Sequence, residues 1–159
     1  MKSRLNWFKA APGAAQALLG LQAVVDKSRL EPALLELVKL RTSQLNGCAY
    51  CIDMHTKDAR AAGETEQRLY LLDAWREAAH LYSERERAAL VWTEAVTQIA
   101  VGHAPDEAYE EARAQFADDE LAVLTLAIVT INGWNRFSVA FRTPAGDYRP
   151  GMFKHLKPA

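Results

Sequence analysis

Apolar residues recur at three- and four-residue spacing along most of this chain, and no sustained run alternates apolar with polar positions. The first pattern marks one face of an α-helix, whereas the second would mark a half-buried strand. Gly and Pro stand at the ends of the periodic segments rather than in the paired dipeptide turns of hairpins, so the fold class is all-α. Leu18, Leu19, Leu21, Val24 and Val25 predict a helix over about 14–25, after Pro12 and Gly13. Pro32, a favoured first-turn residue, opens a second through Leu34, Leu35, Leu37, Val38 and Leu40 to about Leu45, where Asn46 and Gly47 stop it. A third runs over about 48–62 to Gly63, and Thr65 heads a fourth containing Leu69, Tyr70, Leu71, Leu72 and Trp75. Ser83 and Glu86 have capping-box spacing and open a long helix through Leu90, Val91, Trp92, Val96 and Ile99 to Gly102. A short helix over about 105–116 and a last one over about 121–141, capped by Asp118 or Asp119, bring the number to about six to seven.

The tail from Thr143, with Pro144, Gly146, Pro150 and Pro158, cannot continue that last helix. No repeat, low-complexity block or linker divides the chain, so we expect one domain over 1–159, with its core over about 12–142 and a tail over 143–159. The near-continuous apolar run of the last helix points to burial on most sides or to a subunit interface. Gly133 within it, unfavourable by about 1 kcal/mol relative to Ala, points to close backbone packing. Asn135 and Arg136 need partners there, and with Trp134 they read as helix packing or a subunit contact. Trp7, Trp75 and Trp92 read as core or interface anchors, His80 and His103 as helix-end residues, and Glu84 to Arg87 as a solvated first turn.

Composition removes several functions. With 19 Lys and Arg against 20 Asp and Glu, there is no basic surplus to argue for nucleic acid. The longest nearly apolar stretch, over 121–131, is roughly half of what a bilayer-spanning helix requires. The opening residues, with Lys2, Arg4, Asn6 and Lys9, are unlike a secretory signal, and the expected location is cytoplasmic. Two cysteines, Cys48 and Cys51, cannot make the disulfide framework of a secreted mini-protein; in a reducing compartment such a pair binds metal or does redox chemistry.

The pair begins a C-x-x-C-x-x-x-H motif, Cys48-Ala49-Tyr50-Cys51-Ile52-Asp53-Met54-His55, at the start of a predicted helix. Three- and four-residue spacing puts both thiols and the imidazole on one helical face. Unpaired backbone N–H groups at a helix start stabilise a thiolate, and a nearby imidazole can take the thiol proton. Three readings fit: zinc ligation, which lacks an evident fourth ligand since His80 and His103 are isolated; small buried hydrophobes beside a core histidine; and a redox-active dithiol. A thioredoxin-like dithiol would need a preceding strand, and the segment before Cys48 is helical.

The stretch from Leu34 to Cys51 and His55, then Gly63-Glu64, Ala74-Trp75-Arg76-Glu77, Glu84 to Leu90, and Ile131-Asn132-Gly133-Trp134-Asn135-Arg136, resembles the carboxymuconolactone decarboxylase-like superfamily. Within it the chain is most similar to the alkyl hydroperoxidase D (AhpD) branch, over roughly 30–141. The resemblance implies an all-α fold assembled as a homotrimer or homohexamer, and a peroxidase that reduces hydroperoxides without haem, flavin or metal. It implies Cys51 as the peroxidatic thiolate, Cys48 as the resolving thiol, and His55 and Glu36 in a proton relay. Glu36 stands twelve residues before Cys48, as in the family pattern. It also implies recycling by an external dithiol, a lipoyl-bearing or thioredoxin-type protein. The chain departs at Tyr50, where well-known members carry a second histidine, so the relay here is shorter or uses the tyrosine hydroxyl.

On a helical wheel Glu36 falls near Leu40 and Ser43, a mixed flank that also suits a solvated carboxylate. Turned toward the cysteines, partial burial would raise its pKa and let it pass protons near neutrality. Two other activities remain open on sequence: a lyase of the decarboxylase type, and a disulfide sensor that controls assembly.

Overall fold

The computed structural model describes residues 2–153, and Pro158 of the expected tail lies outside them. The chain order is α1 (Trp7–Ala10), α2 (Pro12–Asp26), α3 (Pro32–Leu45), α4 (Ala49–Ala61), α5 (Glu66–Leu71), α6 (Glu84–Thr97), α7 (Ile99–Gly102), α8 (Asp106–Arg113) and α9 (Asp118–Phe141), with 3₁₀ turns at Leu72–Ala74 and Ala79–Leu81. Among the described residues there is no strand, as the periodicity predicts. Setting aside the single-turn helices α1 and α7, seven helices remain among the described residues. None of them is long and apolar enough to cross a membrane.

α3 is the helix on which the others are built. Leu34, Leu35 and Val38 join a core with Val25 of α2, Ala88 and Ala89 of α6, Ala112 of α8 and Leu124 and Ile128 of α9. Leu37 and Leu40 face a second core with Ala59 of α4, Leu69, Leu72, Trp75 and Leu90. A helix with two buried flanks has little solvent-facing surface, so its polar residues need partners inside the protein.

Several boundaries differ from the sequence expectation. Gln98 leaves the helical conformation (φ −99°, ψ 34°), so the helix opened by the Ser83–Glu86 capping box ends at Thr97, and only one turn follows. Ile99 and Val101 continue the apolar spacing but are exposed, so little burial holds them in the helix. The helix opened at Thr65 stops at Leu71 and tightens into the 3₁₀ turn. α8 ends at Arg113 rather than near Phe116. α9 begins earlier than expected, because Glu120 reaches back to the Ala117 N–H at 3.1 Å; Asp118 and Asp119 sit inside the first turn, favoured by the helix dipole.

The Glu84–Arg87 run is not a solvated turn. Arg85 ties Glu31 to Glu120, Glu86 pairs with Arg68 at 2.6 Å, and Arg87 donates to the Tyr82 carbonyl at 2.8 Å. α9 is buried along one side only, with Val129 and Val139 exposed. The close packing expected at Gly133 is present: a Cβ there would lie 2.9 Å from Leu18 Cδ2 of α2. Trp7 and Trp75 are buried, Trp92 is partly buried and packs against the first core, and the exposed His103 caps α7 while the exposed His80 lies within the 3₁₀ turn Ala79–Leu81.

Candidate active site

The connection between α3 and α4 is two residues, Asn46 and Gly47, followed by Cys48 as the α4 N-cap. The Gly47 N–H donates to Gln44 O and the Cys48 N–H to Ser43 O, a Schellman closure that requires a left-handed residue; Gly47 supplies it at φ 63°. Cys48 therefore ends one helix and starts the next. Its sulfur accepts the Cys51 N–H at 3.4 Å, so both cysteines lie at the positive end of α4. They are joined as a disulfide with Cα atoms 5.4 Å apart, and are only 2% and 1% exposed.

The turn is held from behind by α9. Asn46 Nδ2 donates to Asn132 Oδ1 and Asn135 Oδ1, each at 2.9 Å, and Asn135 Nδ2 donates to Ser43 Oγ at 3.1 Å. Asn132 in turn donates to Thr97 Oγ1 at 3.2 Å and accepts from Arg136 at 2.7 Å. These are the partners that Asn135 and Arg136 require, and they make that segment a clamp on the cysteine turn.

Glu36 does not point to solvent. Its Oε2 accepts from His55 Nδ1 at 2.9 Å and its Oε1 from Lys39 Nζ at 2.9 Å, with 19% of the side chain exposed. His55 itself is buried, one turn after Cys51 on the same face. The expected rise in the Glu36 pKa is corrected. Burial does push it up, but the hydrogen bonds and positive charges of His55 and Lys39 outweigh burial and hold it at about 2. At neutral pH Glu36 is a carboxylate, an acceptor only, so the His55 proton sits on Nδ1. Nε2 is left as the basic nitrogen; it is buried and makes no hydrogen bond among the described residues.

The low pKa sets a sign. A carboxyl lowered from 4.5 to about 2 stabilises the fold above about pH 4.5, and that contribution is lost as pH falls toward 2. Comparing urea unfolding of wild type and Glu36→Gln, we expect wild type to be more stable at pH 6, on the order of 2 kcal/mol. The gap should close between about pH 4.5 and 2. A gap that stays constant with pH would show that the pair contributes no such linkage.

Asp58 lies one turn beyond His55; one oxygen each of Glu36 and Asp58 and one His55 nitrogen fall within 4.8 Å of one another. That set has the chemistry of a cation site, but Lys39 and Tyr148 already occupy its carboxylates. Tyr50 is half-buried, and burial, then Asp53 and Asp58, push its phenol pKa up, so at neutrality it is a proton donor and not a base. Asp58 and the tail residue Tyr148, whose hydroxyl is 2.8 Å from both Asp58 oxygens, carry no sequence signal. A groove of about 610 Å³ bordered by Trp75, Arg87 and Pro105 draws no lining residue from α4.

The all-helical domain has the AhpD-like fold, and the comparisons with known proteins agree on that fold. Residues 12–95 match the carboxymuconolactone decarboxylase family, and the chain belongs to it. It is 42% identical over 147 residues to the uncharacterised protein YdfG of Bacillus subtilis, covering 92% of this chain and 99% of YdfG. A solved protein of unknown function from Agrobacterium tumefaciens, provisionally described as the antioxidant defence protein AhpD, has 46% identity and a TM-score of 0.88, over 92% of this chain and all of that one. The AhpD core of a peroxidase-related protein from Ralstonia eutropha, at 18% identity and TM-score 0.76, covers 88% of this chain and 74% of its own, and shares the fold.

Proposed function

We propose that this protein is a thiol peroxidase that reduces hydroperoxides through Cys51 and Cys48, and works in the cytoplasm as a homotrimer or homohexamer. One observation carries the reading: the Glu36 carboxylate fixes the His55 tautomer and leaves the basic Nε2 buried on the face that holds Cys51. In the reduced protein, Nε2 takes the proton of the Cys51 thiol, and the helix N-terminus stabilises the thiolate. The thiolate attacks a peroxide oxygen and the O–O bond breaks. Cys51 becomes a sulfenic acid, and the leaving alkoxide or hydroxide takes the proton from His55.

The Cys48 sulfur then attacks Cys51, expelling water and closing the disulfide. An external dithiol of lipoyl or thioredoxin type reduces that disulfide by exchange and is itself oxidised. Exposed Leu21 and Val24 on α2, with Val129 and Val139 on α9, support assembly of several copies.

A thiol count on fully reduced protein, before and after one equivalent of hydrogen peroxide with quenched time points, tests the reading. Both thiols should be lost per peroxide, at least about 100-fold faster than free cysteine. Thiols that persist, or fall only at the rate of free cysteine, would remove the peroxidase. Slow loss accompanied by a change in assembly size would favour a disulfide sensor.

A further inference from the structure

The tail after α9 has no helical period, yet residues 146–148 are fastened to the outer face of α4. The Gly146 N–H donates to Asp53 Oδ2 at 3.1 Å, while Lys57 Nζ donates to Gly146 O at 2.9 Å and Tyr148 O at 3.0 Å. Lys57 also pairs with Asp53 at 2.8 Å. Tyr148 is buried and stacks on Phe153. Its hydroxyl donates to Asp58, whose two oxygens are each 2.8 Å away.

Asp58 is the group worth restraining. It stands three residues after His55 on the same helix, with a carboxylate oxygen within 4.8 Å of a His55 nitrogen and of Glu36. Two carboxylates thus stand near one imidazole. Glu36 holds Nδ1, and Nε2 has no partner among the described residues. If Asp58 bonded to Nε2–H, the imidazole would be held as a doubly bonded cation and could not accept the Cys51 proton.

We propose that Tyr148 is a positioning residue of this site: by holding Asp58 through its hydroxyl, it keeps that carboxylate off His55 and leaves Nε2 available to Cys51. The tail tyrosine thereby acts on the cysteine through two intermediaries and touches no substrate. The proposal rests on His55 serving Cys51 as its base, as in the peroxidase reading.

The test uses reduced Cys48→Ser protein, in which Cys51 is the single thiol, and two reagents. Iodoacetamide reports the nucleophilicity of Cys51 whatever its natural substrate, and hydrogen peroxide reports the proposed reaction. Tyr148→Phe keeps the ring and its stacking, lies outside both cores, and should leave the melting temperature within a few degrees. We expect it to slow alkylation at pH 7 about tenfold. In an Asp58→Ala background the same substitution should cost nothing, because the competing carboxylate is gone. A merely structural tyrosine would cost the same in both backgrounds.

An unchanged alkylation rate in Tyr148→Phe, or an equal loss with and without Asp58, would overturn the proposal. Coupled slowing of alkylation with no fast peroxide reaction in any variant would uphold Tyr148 and overturn the peroxidase. Coupled slowing of both reactions supports the two together.

Discussion

Cys51→Ser will consume no peroxide above background, a fall of at least about a thousandfold, while Cys48→Ser will react once and stop. The asymmetry follows from position. Cys51 is in the first turn of α4, one turn before His55 on the same buried face, so it has both the dipole and the base. Cys48 is the N-cap, its sulfur turned toward the Cys51 N–H, a place from which it can reach the Cys51 sulfur. In Cys48→Ser the sulfenic acid has no internal thiol to meet, so it should accumulate to one per chain and be trapped by dimedone, visible as a mass increment. In Cys51→Ser no such adduct should form. The reverse pattern, with fast peroxide loss in Cys51→Ser, would exchange the two roles.

The second large effect is on stability. Asn135→Ala should destabilise the protein by about 2–4 kcal/mol, because it removes two buried hydrogen bonds and leaves a cavity. Asn135 is 1% exposed; it accepts from Asn46 and donates to Ser43, on either side of the Schellman closure. The measurement is a urea midpoint that moves with an unchanged slope. Glu111→Ala, exposed on α8, is the control and should stay within about 0.5 kcal/mol. A shift that small at Asn135 would show that the clamp is not holding the turn.

Most of the helices were legible because strong signals coincided: Pro32 at a first turn, Gly47 after a last one, and the Ser83–Glu86 box all fall where the structure uses them. The cysteine–histidine face was legible for the same reason, since three residues on one helix need only helical geometry. Glu36 was not. A wheel weighs a residue against neighbours on its own helix, and α3 is buried on two flanks, so a mixed flank did not mean solvent. The partner that decides its charge, His55, lies on another helix. Burial alone predicts a raised pKa, and it leaves out the hydrogen bonds from His55 and Lys39 that the same packing brings to the carboxylate. Tyr148 was hidden in a different way. Pro and Gly in the tail say where a helix must stop, and carry no information about what the stopped chain then touches.

The two-residue turn between α3 and α4 leaves this chain no slack in length. Each added residue at a helix start turns everything beyond it by about 100° and advances it by about 1.5 Å. One insertion at Asn46 or Gly47 would therefore swing His55 away from Glu36, and no neighbouring loop could absorb the change, since Ser43 and Cys48 are bonded across it. Drift in chain length is better accommodated at the exposed turn around His103. Between Ser43 and Cys51 the number of residues is itself part of the chemistry.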